Sequence, residues 1–512
     1  MSQANNSSKQ AATACDVVVV GGGGAGMAAA IEAASHNRHV VLLEKDASLG
    51  GSTAWSVGSI SATNTPQQKA RGIVDHPDAH FEDLEVLAGA KANRDNRALR
   101  RILVDNTTEM MRWLESHGLV FVGPNEEKPH RLPRMHNVLP NSRAFPEMLG
   151  RACRKAGVDV RLGTAARKLI TEAGRVTGVE TLRPNGKVER FVARGGVVLA
   201  GGDYSASAEL KAHFVSDEAA ALEAVNPGAN GSVIQLGIEA GGEVINGDII
   251  RGPTMRFIPP TRESLLRRLP PNRTMARLLK WSLGNLPAFL QRPFAMGFLT
   301  TALGPSPNMF KAGAILVNQN GERFCDELGN PGPLVPSQPD RVAYIVMDRA
   351  IAEKFRAWPY YVSTAPGVAY AHLDDYRRNR ADIYHSAGTM SDLAQSMSVP
   401  VANLTAAITE TITRDVASGL VPLGDGPYVA LGPVKSYVVF TDGGLKVTER
   451  HEVVGSDGAP IAGLFAAGST GQGGLILEGH GHHLGWAFVS GRLAGRNAAM
   501  NIEAVLTEDR NN

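Results

Sequence analysis

Two groups of residues in this 512-residue chain have the types and spacing to do chemistry. The first lies near the N-terminus, where Gly21, Gly23 and Gly26 form G-x-G-x-x-G after the valine run Val17–Val20 and before the alanine-rich MAAAIEAAS. The three glycines permit, in turn, a tight turn, close approach of backbone to a pyrophosphate, and close packing of a helix on a sheet. The pyrophosphate would rest on the free N–H groups opening a helix expected over Ala25–Ser35, where the helix dipole also favours an anion. A second strand, His39–Leu43, ends at Glu44, about twenty residues beyond the glycines, where an acid hydrogen-bonds a ribose hydroxyl. Strand, glycines, helix, strand and acid in register predict dinucleotide binding; a lone glycine-rich turn would not. The second group lies near the other end, where Glu478, His480, His482 and His483 crowd together. A histidine titrates near neutral pH and suits proton transfer. H-x-H-H is also a ligand pattern, but adjacent His482 and His483 at a helix start point apart, so no metal site is expected. The plainer reading is that one or two of them line a pocket.

These groups need a framework of ordinary size. The length allows two or three domains at ~150 residues each, and 43% hydrophobic with 20% charged residues describes a soluble protein with a sizeable core. A net charge of +2 gives no reason to expect nucleic acid. Cys15, Cys153 and Cys325 are far apart and predict neither zinc nor a disulfide framework. Residues 1–14 read as a disordered tail without a secretory pattern, and no apolar run is long enough to span a bilayer, so a cytoplasmic enzyme is expected. Pro77–Gly118 reads as two helices. The second, around Asn96–His117, places Leu99, Ile102, Leu103, Met110, Met111, Trp113 and Leu114 at helical spacing as core. A helix is expected over Phe145–Ala156. Val158–Leu199 alternates in short runs broken at Ala173-Gly174 and Pro184-Asn185-Gly186, as hairpins do, and ends in the apolar strand Val197–Ala200. Asn230–Gly242 reads as a helix with a glycine stop.

Further motifs carry a resemblance. EKDASLGGST (Glu44–Thr53), NGSVIQLGIEAGG (Asn230–Gly242), AGAILVNQNGERFCDE (Ala312–Glu327), the helix pair within Ser391–Gly419, and TDGGLKV, GLFAAGST and GQGGLILEGHGHHLGWAFVSGRLAGRNAA toward the C-terminus resemble the fumarate reductase / 3-ketosteroid dehydrogenase superfamily of flavoproteins. The resemblance implies FAD and an α/β fold: a Rossmann-like two-part FAD-binding domain (15–247 and 437–512) with an inserted α+β capping domain (248–436). It places Gly21, Gly23, Gly24, Ala25, Gly26, Glu44 and Lys45 around the nucleotide, and Gly50, Gly51, Ser52 and Thr53 around the ribityl chain and ring. Ala166, Ala200, Gly201 and Gly202 fall by the adenine half, and Gly468 and Ser469 by the ribityl phosphate. His483 and Leu484 fall at the start of a helix expected over His482–Asn497, whose dipole would face the flavin. Succinate-oxidising relatives attach FAD through a histidine that here matches Ser52, so non-covalent FAD is expected. Arg131–His136 (RLPRMH) matches an R-x-H that relatives hold near the flavin; a satisfied surface pair is the equal alternative.

The chain departs from the superfamily at the substrate. The arginine acid of fumarate reductases corresponds to Pro331, their second carboxylate-binding arginine to Glu478, and two histidines to Gly252 and Phe440. A dicarboxylate left unpaired in a closed site is strongly disfavoured, so the resemblance does not extend to fumarate reduction. Ketosteroid dehydrogenases have tyrosines at Pro331 and Leu477; their carbonyl-binding glycine survives as Gly481. The expectation is an FAD oxidoreductase moving hydride between flavin N5 and the carbon beside a carbonyl-activated position of a neutral, lipophilic ketone-like compound. His480, then Glu478, is the candidate proton-transfer group, and Gly481 the carbonyl donor. The alternatives are a mono-acid enzyme anchored by Arg134 or Arg256, or a flavin subunit without its own substrate. Residues 253–311 carry nine Lys/Arg against the single acid Glu263. Within 261–301, Arg267, Arg268, Arg273, Arg277 and Lys280 mix with Leu278, Leu279, Trp281, Leu283, Leu286, Phe289 and Leu290. That mixture suits either a packed cap or oligomer contact, or peripheral contact with an anionic membrane.

Overall fold

The structure, a computed structural model, describes residues 12–260, 268–287, 296, 299–300, 303–365, 369–418 and 423–511. The valine run forms the centre of an eight-stranded sheet. Strand Thr13–Val20 pairs in parallel with Val40–Leu43 on one side and Val188–Leu199 on the other, and Asp159–Arg161 and Pro460–Ala466 extend the parallel set outward. A strand covered on both faces has no polar side, which is why Val17–Val20 and Val40–Leu43 are unbroken apolar runs and wholly buried. The strand starts at Thr13, inside the stretch expected as a tail; residues 1–11 lie outside the described residues.

Strand Val188–Leu199 serves two pairings. Its end runs parallel to Thr13–Val20, while its beginning is antiparallel to Arg175–Leu182, which turns back onto Ala165–Glu172. Both expected turns are present, at Ala173-Gly174 and Pro184-Asn185-Gly186.

The helix Gly24–Ser35 is pressed between this sheet and the closing helix His482–Asn511. Small residues allow it. A Cβ on Gly491 would lie 2.3 Å from the Ala25 carbonyl oxygen, and one on Gly495 would lie 2.2 Å from that of Ala29. Glu32, near the far end, takes hydrogen bonds from Arg492 (2.9 Å) and Arg496 (2.8 Å). Burial raises its pKa, but the two guanidiniums outweigh that and hold the carboxyl below its usual range.

A second sheet of six strands is built around Tyr428–Val438. Glu223–Ala224, Thr254–Phe257, Ala343–Met347 and Tyr384–Ala387 pair with it, and Ile315–Asn318 adds to the edge. This sheet has its own core, from Phe257 to Val434. Glu223–Ala224 belongs to it although it precedes 248, the expected beginning of the insertion. In the Ala312–Glu327 segment, Arg323 pairs with Glu327 at 2.6 Å, and Glu327 also accepts from the Leu316 N–H. The expected long helix is Arg97–Ser116, its start capped by the Asn96 side chain, with Leu99, Leu103, Met110, Met111 and Leu114 buried. Among the described residues no helix is long and apolar enough to cross a membrane.

The contact between the two helices yields a signed prediction. An alanine in a helix interior is favoured over glycine by about 1 kcal/mol, but overpacking a tight core costs ~1–3 kcal/mol or more. At Gly495 the added carbon meets backbone, so overpacking wins and Gly495→Ala lowers stability by ~2 kcal/mol. At Gly284, in the helix Arg273–Asn285, nothing lies within 4 Å, so Gly284→Ala raises it. Thermal melts of both variants read the opposite signs; a Gly495→Ala protein as stable as wild type contradicts the packing argument.

Candidate functional site

The glycine loop forms an open cradle. Gly21, with φ of +107°, and Gly26 are needed for internal approach: an added Cβ would come 2.4 Å from the Ala200 carbonyl oxygen and 1.8 Å from that of Gly21, respectively. Gly23 differs. Its φ of −74° suits any residue, and an added Cβ meets only the Gly50 carbonyl oxygen at 3.9 Å. Gly202 likewise faces space with nothing within 4 Å. The N–H groups of Gly23 and Ala25 have no acceptor among the described residues. Open space beside unfilled donors at a helix N-terminus fits a pyrophosphate.

The flanks of the cradle are tied to it. Glu44 accepts from the N–H groups of Gly22 (2.6 Å) and Asp46 (2.9 Å), while burial raises its pKa. Its neighbour Lys45 donates to the Gly228 carbonyl at 2.6 Å. Gly50 and Gly51 adopt positive φ, the Gly50 N–H donates to Gly22, and Thr53 Oγ1 accepts from the Gly24 N–H at 3.0 Å. Ser52 accepts from Asn226 at 2.8 Å. An added Cβ on Gly201 would collide with Val233 at 2.2 Å, so that glycine serves packing. Ala166 sits on the Ala165–Glu172 strand, partly buried, and Ala200 follows the strand that ends at Leu199. Gly468 donates to Ser490 Oγ of the closing helix at 2.8 Å, with Ser469 beside it at the end of the Pro460–Ala466 strand.

The closing loop brings the other group to this end of the helix. His480 is half-exposed, and its Nδ1 lies 2.5 Å from Glu127 Oε1. The same carboxylate accepts the His480 backbone N–H at 3.0 Å. Burial raises the Glu127 pKa, but the bonds to His480 win and hold it below the usual carboxylate value. Ser61 Oγ donates to the His480 carbonyl at 2.8 Å. Gly481, at φ of +88°, packs so tightly that a Cβ would sit 2.4 Å from the Ser61 nitrogen; its own N–H has no acceptor among the described residues. Glu478 is not a free base. Lys91 Nζ is 2.8 Å from one oxygen and Arg251 contacts the other. Burial raises its pKa, yet the Lys91 and Arg251 bonds and charges hold it below its usual value, which weakens it as a proton acceptor. His483 is partly buried; its ring lies 3.8 Å from that of Phe440 and its Nε2, without a hydrogen bond, is 3.4 Å from Asp442 Oδ1. Leu484, one residue on, packs against the main core.

His482 turns the opposite way from His483. Its Nδ1 donates to the Glu478 carbonyl at 2.6 Å and its Nε2 is 3.1 Å from His80 Nε2, with His130 completing a buried trio. Burial and the neighbouring His130 push the His482 pKa down to about 3, and His80 is lowered by burial and by His482. One ring nitrogen of each of the three lies within 4.8 Å of the others. The Arg134 guanidinium donates to His130 Nδ1 at 3.1 Å, which places that ring's proton on its Nε2. Arg134 is itself closed off: fully buried, it is bonded twice to Asp75, at 2.8 Å each, and again to Asp83. The expectation of Arg134 as an anion anchor is therefore corrected, and His136, bonded to Thr65 at 3.0 Å, is a satisfied buried residue. Arg256 lies within the second sheet, opposite Lys435. Glu127, Lys91 and Arg251 went unrecognised in the sequence. Glu127 lies 353 positions from its partner, so spacing gave no signal, although the acidic pair Glu126-Glu127 next to RLPRMH was visible.

Gly23→Val tests the cradle. Its Cβ makes only ordinary contact, with the Gly50 carbonyl oxygen at 3.9 Å, and meets no φ strain, so the variant folds as the wild type does without cofactor, yet it retains no FAD. Wild-type protein precipitated by acid releases a yellow supernatant with the mass of FAD, since Ser52 offers no imidazole for attachment. Flavin that stays with the wild-type pellet, or with the Gly23→Val protein, contradicts these readings.

Comparison with known proteins gives the same picture. A family model described as "FAD binding domain" matches residues 16–261 and 304–476. The vinyl phenol reductase of Lactiplantibacillus plantarum is 27% identical over 506 residues, 92% of this chain and 93% of that protein. The urocanate reductase of Eggerthella lenta is 26% identical, covering 92% of this chain and 72% of that one. Among solved structures, the open conformation of a flavocytochrome c3 fumarate reductase superposes with a TM-score of 0.72 at 23% identity, over 96% of this chain and 79% of that one. The 3-ketosteroid-Δ4-(5α)-dehydrogenase of Rhodococcus jostii RHA1 gives 0.60 at 22%, over 97% and 99%. At those identities the structures carry the fold alone. The family match spans both the glycine cradle and the approach to the closing loop, and the chain belongs to the FAD binding domain family, with FAD as its cofactor.

Proposed function

We propose that this FAD-dependent oxidoreductase, which acts on CH–CH bonds, takes a neutral, lipophilic substrate whose double bond is conjugated to a carbonyl or similar electron-withdrawing group. The observation that carries the reading is the His480–Glu127 pair held beside the unfilled N–H of Gly481 at the start of the closing helix. Bound FAD supplies the hydride-accepting or hydride-donating centre. Gly481 N–H holds the substrate oxygen as negative charge develops on it, and the helix dipole adds to that stabilisation. His480 moves the proton at the carbon next to the carbonyl, and Glu127 fixes its ring. Reduction and desaturation use the same groups in opposite order.

Neutrality of the substrate rests on several residues. Pro331 and Gly252 carry no charge, and they lie together: an added Cβ on Gly332 would be 2.6 Å from the Pro253 carbonyl oxygen. Phe440 pairs with Arg251 across two strands, and Arg251 is matched by Glu478. A vinyl phenol, the compound named for one relative, also lacks a carboxylate.

A further part of the proposal concerns the helix Arg273–Asn285. Leu278 (56%), Trp281 (57%), Leu283 (44%) and, just beyond its end, Leu286 (39%) are exposed, beside exposed Arg273, Arg277 and Lys280. Arg267, Phe289 and Leu290 lie outside the described residues. Burying an apolar side chain contributes about 1.5–3 kcal/mol, and each basic residue near an anionic surface about 1 kcal/mol. Together these favour peripheral contact with an anionic bilayer, from which a lipophilic substrate would enter.

Two experiments follow. His480→Ala slows substrate-dependent flavin oxidation or reduction by ~10²–10⁴-fold with FAD still bound, and Glu127→Gln gives a smaller loss. The Glu127 pKa is depressed below 4.5, so its contribution is intact above that pH and disappears as pH falls through the lower value; the Glu127→Gln deficit shrinks in acid. Wild-type rates in both variants overturn the assignment. The protein co-sediments with phosphatidylserine-containing vesicles at low salt, and Arg273→Glu with Arg277→Glu and Trp281→Ser abolishes this. Wild-type protein that stays in the supernatant retires the membrane contact.

A further inference from the structure

Glu478 is the one closing-loop acid, and it is not left to itself. Its two oxygens are taken by cations from separate parts of the chain. Lys91 comes from the short helix Gly89–Arg94, at 2.8 Å, and Arg251 from the strand Ile250–Arg251 that pairs with Phe440–Thr441. Glu478 is only 12% exposed, whereas Lys91 and Arg251 are 39% and 34% exposed, so both cations keep a face toward the surroundings. Asp442, bonded to Gln472 at 2.9 Å, supplies the second carboxylate; burial raises its pKa, and the Gln472 bond and the charges of Arg251 and Lys91 act against that rise. Two cations and two carboxylates leave the group neutral. The other charged groups nearby are already matched: Arg94 pairs with Asp248, Arg100 with Asp95, and Glu127 with His480.

We infer that Glu478 sets substrate charge preference, by occupying two cations that would otherwise hold a substrate carboxylate. This rests on the reading that the closing loop faces the substrate. A carboxylate entering beside Glu478 meets a like charge and finds both donors engaged; a neutral compound meets neither obstacle. Replacing the acid by its amide keeps the shape, leaves the carbonyl that accepts from His482, and frees one net positive charge. A carboxylate then gains a charge-assisted bond of the kind that changes affinity by about 10–100-fold. Removing Lys91 as well restores neutrality and cancels the gain.

The experiment uses the FAD-loaded enzyme and the isosteric probes benzoate and benzamide, titrated against the flavin absorption band. In wild type benzamide binds better than benzoate. In Glu478→Gln the benzoate-to-benzamide affinity ratio rises about 10–100-fold, falls again with added salt, and returns to the wild-type value in Glu478→Gln/Lys91→Met. A ratio that Glu478→Gln leaves unchanged, while either probe still perturbs the flavin band, overturns the inference and leaves the site reading standing. If neither probe perturbs the band in wild type or variant, the loop does not face a substrate beside the flavin, and both readings fall together.

Discussion

Everything at this site hangs on how closely two helices can approach. The helix Gly24–Ser35 is boxed in, with the parallel sheet beneath and the closing helix above, and Gly491 and Gly495 rest against the carbonyl oxygens of Ala25 and Ala29. Side chains at those positions would push the helices apart by the width of a methyl group or more. Because the closing helix starts at His482, that separation also decides where its N-terminus lies relative to the glycine loop. Glu32, gripped by Arg492 and Arg496, sets the rotation of one helix on the other. A carboxylate so paired prevents slippage that glycines alone would allow.

The face around the closing loop is assembled from segments that meet only in the folded chain. His480 and Gly481 come from the loop itself, Glu127 from the segment after Val120–Asn125, Ser61 from a short strand, Lys91 from a helical turn, and Arg251 from the two-stranded ribbon it forms with Phe440–Thr441. Polar groups here divide into two kinds. Arg134, Asp75 and Asp83 saturate one another and leave nothing for a ligand. The N–H groups of Gly481 and, in the nucleotide cradle, of Gly23 and Ala25 have no acceptor among the described residues, as a binding surface requires.

The nucleotide half was legible because its code is local. A doubly covered strand needs an unbroken apolar run, and a turn onto a helix needs glycine at fixed offsets, so Val17–Gly26 could be read from neighbours in sequence. The hairpins at Ala173-Gly174 and Asn185-Gly186 were legible for the same reason. The substrate half was not, because charge pairing carries no spacing rule. Arg134 beside His136 looks like a site in sequence and is a closed ion cluster in space. Glu478 reads as an available acid, yet two remote cations engage it. That His482 and His483 point apart was legible from helix geometry; that His482 meets His80 and His130 was not, since those residues sit hundreds of positions away.

The contact between Glu32 and Arg492 spans 460 positions of sequence. At ribosomal rates of roughly 5–20 residues per second, a nascent chain therefore waits on the order of half a minute to a minute and a half between emergence of the first helix and arrival of its cover. During that interval the small-residue face of Ala25 and Ala29 is bare and the cradle lacks the helix that completes it. A chain broken off before Gly491 exposes the same face permanently. The nucleotide half is thus built from both ends of the sequence, and its first helix gains its cover only when nearly the whole chain has been made.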